Sequence, residues 1–128
     1  MTVLLDTHAL LFWLFDDPRL SASARAVLAD PTVTVLVSSV SAYEICIKHR
    51  LGKLSVAEPL VGDIPGWIAK ASFRELPVSI AHAARAGSWP QPHRDPFDRI
   101  LAAQATSENV PLVSRDEALR AFGINLLW

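Results

Sequence analysis

Four carboxylates, Asp6, Glu44, Asp98 and Asp116, stand where short apolar runs give way to helical patterns. Carboxylates gathered at one end of a sheet repel each other and are costly to desolvate; a divalent cation offsets both effects. Mg²⁺ or Mn²⁺ held by such oxygens can activate water against a phosphodiester. These residue types therefore predict a small metal-dependent nuclease. Each acid also has a local explanation. Asp6 can cap a helix starting at Thr7. Glu44 can complete a capping box with Ser41. Asp98 and Asp116 fall in first helical turns, where the helix dipole favours negative charge. Taken singly, every acid is a helix-end residue. Taken together, with all junctions facing one way, they form one metal-binding and catalytic set.

Asp95 lies three residues before Asp98 and is read as a helix cap that can also support the site from behind. Ser114 can orient a carboxylate or a water, besides capping. Lys48, Arg94, Arg99 and Arg115 are candidates for positioning a phosphate. Their plainer roles are an i,i+4 ion pair with Glu44 for Lys48, pairing with neighbouring acids for Arg99 and Arg115, and a solvated loop for Arg94 and for His93, which could also meet a phosphate from that loop. His8, His49, His82 and His93 show no spacing typical of a transition-metal site, although His8 follows Asp6 closely. No GxSxG elbow, GxxxxGK[ST] phosphate loop or GxGxxG fingerprint occurs, which weakens serine hydrolase, ATPase and dehydrogenase readings. A DNA or structure-specific nuclease, a phosphatase and a non-catalytic binding module remain open as alternatives.

The elements that must position these residues alternate. The runs at 2–5, 33–37, 73 to about 76, 110–113 and 124–128 read as strands. Helices are expected across 7–14, 22–29, roughly 41–50, 66–72, a short one after Ser79, one from Pro96, and one after Ser114 through a Ser114–Glu117 capping box. Strands alternating with helices predict an α/β fold with a mainly parallel sheet flanked on both faces. Ligands in such folds sit beyond the carboxyl ends of the strands, where Asp6 and Asp116 fall.

At 128 residues and 51% hydrophobic, one domain over 1–128 can build a core without staples. A net charge of −1 excludes a general polyanion binder, so any nucleic-acid contact must be local. The single cysteine, Cys46, excludes an intrachain disulfide and is expected to pack in the core. Trp13 and Trp67 are expected to pack, and Trp89 either packs locally or stacks on a base. The apolar start is interrupted by Asp6 and His8 and lacks a basic leader, so no membrane span or signal peptide is expected, and a cytoplasmic location follows.

The segments LLDTHALLFW, SSVSAYEICIKHRLGKL, HRDPFDRILAAQA and LVSRDEAL, in that order, resemble the four acidic motifs of PIN-domain proteins, specifically VapC-type toxins of toxin–antitoxin pairs. The closing INLLW is similar to the usual ending of that group, so the resemblance covers essentially the whole chain. It implies a three-layer PIN fold and an Mg²⁺- or Mn²⁺-dependent endoribonuclease with Asp6, Glu44, Asp98 and Asp116 as its acids. It further implies a homodimer, a VapB-like antitoxin that obstructs the active site, and cellular RNA such as tRNA or rRNA as the target.

Overall fold

The computed structural model describes residues 1–128. β1 (Thr2–Leu5) leads directly into α1 (Thr7–Leu14), followed by α2 (Ala22–Ala29), β2 (Thr34–Ser38) and α3 (Ser39–Arg50). Two short turns follow, a 3₁₀ turn at Ser55–Ala57 and α4 (Glu58–Val61). Then come α5 (Ile64–Lys70), β3 (Arg74–Leu76), α6 (Ile80–Ser88), α7 (Pro96–Glu108), β4 (Leu112–Val113), a 3₁₀ helix at Glu117–Phe122 and β5 (Leu126–Leu127).

The five strands form one sheet in the order β3-β2-β1-β4-β5, and every pairing is parallel. β1 is central because its residues are apolar in succession, as a strand covered on both faces requires. Val3 and Leu5 face one layer with Val35, Val37 and Val113, against Leu10 of α1, Leu28 of α2 and Ile68 of α5. Leu4 faces the other with Leu112, against Leu101 and Ala105 of α7 and Leu119. Both layers are filled by fully buried side chains, so Leu101→Ala would cost about 2–5 kcal/mol. The result is the three-layer α/β arrangement expected from the alternation of elements.

The chain builds the sheet outward from β1 in one direction through β2 and β3, then returns to add β4 and β5 on the other side. The reversal opens a crevice beyond the carboxyl end of β1, where loops diverge on either side. Asp6 is the first residue past that end.

Local details depart from expectation for identifiable reasons. α3 begins at Ser39 because Ser38, the last residue of β2, caps it by accepting from the Val40 amide at 3.1 Å. Ser41 is thus inside the helix, and no Ser41–Glu44 capping box forms. After β4, Asp116 caps the 3₁₀ helix through the Ala118 amide, so the Ser114–Glu117 box is also absent, and Glu117 pairs with Arg120 instead. α5 starts two residues before the expected 66, capped by Asp63 through the Gly66 amide. A Cβ at Gly66 would lie 2.1 Å from the Asp63 carboxylate, so this cap needs glycine there. Cys46 lies on the exposed side of α3 and not in the core. Trp89 is used for packing: it stacks on Phe122 with ring centroids 4.7 Å apart.

Candidate metal centre

Asp6 is held by two local features. Its carboxylate accepts from the Ala9 amide at 2.7 Å, which caps α1, and its own amide donates to Val113 of β4 at 3.1 Å. The helix cap and the site residue are therefore the same side chain. Burial raises its pKa, with the Glu44 charge adding to that, while the Ser114 hydroxyl, the Ala9 amide and His8 act the other way. Ser114 is buried past the end of β4, and its Oγ accepts from the Asp116 amide at 3.1 Å. Ser114 thus contacts both Asp6 and the Asp116 main chain.

Asp98 is placed by the start of α7. Asp95 caps that helix by accepting from the Phe97 and Asp98 amides at 2.9 and 3.2 Å. Burial, then the charges of Asp95, Asp6, Glu44 and Asp116, push the Asp98 pKa up to about 7. A carboxyl raised that far, first by burial and then by four neighbouring acids, sits in a partly desolvated surplus of negative charge. Asp6, Asp98 and Asp116 line one cleft with His8, Arg115 and Trp128. It encloses about 360 Å³, room for roughly ten waters or a hydrated ion with a phosphate.

Glu44 does not line the cleft. Its Oε1 accepts from the Thr7 hydroxyl at 2.6 Å, and its Oε2 is paired with Lys48. Both oxygens are engaged, yet its charge still bears on Asp6 and Asp98. Lys48 therefore takes the ion-pair role and not a free phosphate-binding one.

His93, a loop residue by sequence, is drawn to the acids by the fold. Its side chain is only 17% exposed, and its Nε2 lies 3.8 Å from Asp98 and 3.7 Å from Asp116. One donor atom from each of His93, Asp98 and Asp116 falls within 4.8 Å of the others, a grouping able to hold a metal ion. The spacing from Asp98 gave no signal, because a five-residue separation across a loop and a helix start matches no fixed ligand pattern.

The expected phosphate-positioning cations divide. Arg115 reaches the cleft, with its guanidinium 5.1 Å over the Phe12 ring. Arg94 is exposed on the loop that follows His93. Arg99 is a correction: its guanidinium is spent on the main-chain carbonyls of Ala86, Trp89, Gln91 and His93, and is not offered to the cleft. Asp6, Asp98 and Asp116 nonetheless suit a hard divalent cation: oxygen donors, mutual repulsion and only one cation on the lining. A larger groove of about 500 Å³ between α1 and α5, lined by Trp13 and Trp67, lies away from these acids. No helix is long and apolar enough to cross a membrane.

The family model described as PIN domain matches residues 3–125. Ribonuclease VapC16 of Mycobacterium tuberculosis is 39% identical over 71 residues, 52% of this chain and 50% of that protein. Ribonuclease VapC22 of the same organism is 27% identical over 123 residues, covering 94% of this chain and 91% of that one. Among solved structures, VapBC2 from Rickettsia felis, bound to a promoter DNA fragment, is similar in fold. Its TM-score is 0.72 at 16% identity, over 99% of this chain and 98% of that one. A toxin–antitoxin complex from Klebsiella pneumoniae gives a TM-score of 0.62 at 19% identity, over 98% and 96%. The match along nearly all of its length, on a parallel sheet that ends in a carboxylate cleft, makes this chain a member of the PIN domain family, related to the VapC ribonucleases.

Proposed function

We propose that this chain is a metal-dependent endoribonuclease of the VapC type. It acts as a toxin that cleaves cellular RNA such as tRNA or rRNA and thereby inhibits translation and growth. The observation that carries the reading is the convergence of Asp6, Asp98 and Asp116 in one cleft, with Asp98 pushed up to about 7. A bound Mg²⁺ or Mn²⁺ supplies charge neutralisation and a more acidic water for attack on phosphorus. Asp6, Asp98 and Asp116 would hold it, with Glu44 close behind as a fixed negative charge. Ser114 keeps Asp6 and Asp116 in register, and Arg115 is placed to meet a phosphate of the RNA. Residues 1–128 work as a single catalytic domain in this reading.

The partners follow from the same site. A cluster of carboxylates with few cations attracts lysine or arginine as well as metal, so a VapB-like antitoxin carrying such a side chain would block the cleft. The titles of the similar complexes support this partner, and a homodimer is proposed from the resemblance to VapC-type toxins alone.

The deciding experiment incubates purified wild-type protein and Asp98→Asn with total cellular RNA, and in parallel with DNA. Each is tested with Mg²⁺, with Mn²⁺ and with EDTA, and product ends are mapped. Discrete metal-dependent cuts leaving 5′-phosphate and 3′-hydroxyl ends, lost in the variant, are expected on RNA. Cyclic phosphate ends, or cleavage of DNA alone, would overturn the reading.

A further inference from the structure

The loop between α6 and α7 has no regular structure of its own, yet it carries His93 to the cleft. What holds it is Arg99. A guanidinium has five N–H donors, and all five are used here. Nε and Nη2 donate to Ala86 at 3.0 and 2.7 Å, and Nη2 also donates to Trp89 at 2.6 Å. Nη1 donates to Gln91 at 2.7 Å and to His93 at 3.0 Å. The Ala86 carbonyl belongs to the last turn of α6, where a cation is favoured by the helix dipole. One side chain thus ties the end of α6 to three carbonyls of the loop. Arg99 adjoins Asp98, so the same helical turn supplies a site carboxylate and the clamp on the loop.

Phe122 forms the other half of the anchor. Trp89 stacks on its ring, the Arg99 guanidinium lies 5.6 Å from its centroid, and the His93 ring is 5.8 Å away. Gln91 donates from its side chain to the Ala121 carbonyl at 3.2 Å, joining the loop to the same 3₁₀ helix.

The orientation of His93 is also defined. Its Nδ1 accepts from the Asp95 amide at 3.3 Å. A main-chain N–H can only donate, so Nδ1 carries no proton while that bond exists, and the neutral ring carries its N–H on Nε2. Nε2 is the atom near Asp98 and Asp116. Ligation of a cation through Nε2 would require the proton to move to Nδ1, against the Asp95 amide.

We propose that Arg99 is a positioning residue that clamps the 89–95 loop and presents the His93 Nε2–H to the rim of the carboxylate cleft, as a donor to a phosphodiester oxygen and not as a metal ligand. The substrate named here rests on the ribonuclease reading above; the clamp and the ring orientation do not.

The test uses long-range proton–nitrogen NMR spectra of the imidazoles, which report the nitrogen that carries the proton. It is run on wild type, Arg99→Lys and His93→Ala, metal-free and with Mg²⁺, alongside RNA cleavage. In metal-free wild type, His93 is expected to show Nε2–H, and Arg99→Lys is expected to lose that single signature. Adding Mg²⁺ should leave the His93 proton on Nε2. His93→Ala and Arg99→Lys should each lower kcat roughly 10- to 100-fold, and the double variant should fall no further, because the second acts through the first. A bare Nε2 in the Mg²⁺-loaded wild type would make His93 a ligand and overturn the proposal. So would an unchanged His93 signature in Arg99→Lys, or additive losses in the double variant. Should Arg99→Lys fail to fold, the Mg²⁺ titration of wild type and the His93→Ala rate still decide whether His93 is a donor or a ligand. Wild type that neither responds to Mg²⁺ nor cleaves RNA would instead sink the nuclease reading, while the metal-free comparison would still judge the clamp.

Discussion

The Thr7 hydroxyl donates to Glu44 at 2.6 Å, joining the first turn of α1 to the middle of α3. A hydroxyl has one proton, so with that proton on Glu44 the 3.0 Å contact to Ser41 is one in which Thr7 accepts. Asp6 and Thr7 are consecutive; one side chain faces the cleft and the next secures the acid behind it. Lys48 completes the neutralisation of Glu44 from the same helix. The four acids are therefore not equivalent: three open onto the cleft, and the fourth is a compensated anion whose charge bears on Asp6 and Asp98.

Removing the Thr7 donor should expose that arrangement. Glu44 is buried, so Thr7→Val leaves a carboxylate oxygen without its hydrogen bond at a cost of about 1.5–3 kcal/mol. Urea unfolding should show a lower midpoint with an unchanged m-value. Thr7→Ser keeps the hydroxyl and should lose less than about 1 kcal/mol. Equal midpoints for wild type and Thr7→Val would mean the contact holds nothing.

Stability should depend on pH through Asp98. Its folded pKa is about 7 against 3.8 for the free side chain. Below 3.8 both states hold the proton and the group costs nothing. As pH rises from there to about 7, the unfolded chain releases its proton first, so the metal-free fold loses stability; above that range the penalty is constant. Asp17, held at about 2 by its hydrogen bond from Arg19, contributes with the opposite sign at lower pH, so the informative quantity is wild type minus Asp98→Asn. At pH 8 without metal, Asp98→Asn should raise Tm by roughly 3–6 °C, corresponding to about 1 kcal/mol. Mg²⁺ should stabilise wild type and not this variant. A variant less stable than wild type at pH 8, and indifferent to pH, would remove the charge-surplus argument.

The fold was legible where the period of the pattern and the caps agree. TVLL followed by Asp6, and Asp95–Pro96 before an apolar helix, state both an element and its first residue, and the structure uses them so. The candidate acids were legible because a carboxylate at the end of an apolar strand has few packing uses. What could not be read is how loops close. Glu44 and Ser41 match a capping box in spacing, but Ser38 captures the start of α3 first, since strand and helix join with no loop between them. Arg99 beside Asp98 suggested a phosphate contact, whereas its partners are four carbonyls that only the folded loop brings together. The sequence placed His93 in a loop that could meet phosphate, but its approach to Asp98 and Asp116 was not legible, because it depends on that clamp.

Cys46 gives a direct check on the register of α3. An apolar-looking helix suggested a core thiol, but Ile45 takes the buried position and Cys46 the exposed one. A thiol reagent should titrate one group per chain in the native protein, without denaturant and at a rate close to that of a free thiol. Protection until unfolding would mean that this helix face is covered in solution, as by a second copy or another partner.

Arg115 is the cation best placed to meet RNA. It lines the cleft beside Asp6 and Asp116, and it is exposed with its guanidinium over Phe12. Each phosphate contact contributes to affinity and to its salt dependence alike, so losing one should lower both in a sequence-independent way. In an Asp98→Asn background that permits binding without cleavage, Arg115→Ala should weaken RNA affinity about tenfold and reduce the slope of log K against log salt by about 1. Arg115→Lys should keep the slope and lose part of the affinity, because an ammonium retains the charge but not the fork. Arg99→Ala, whose donors face the protein, should leave the slope unchanged. If the slope falls with Arg99→Ala and not with Arg115→Ala, the roles of the two arginines are reversed.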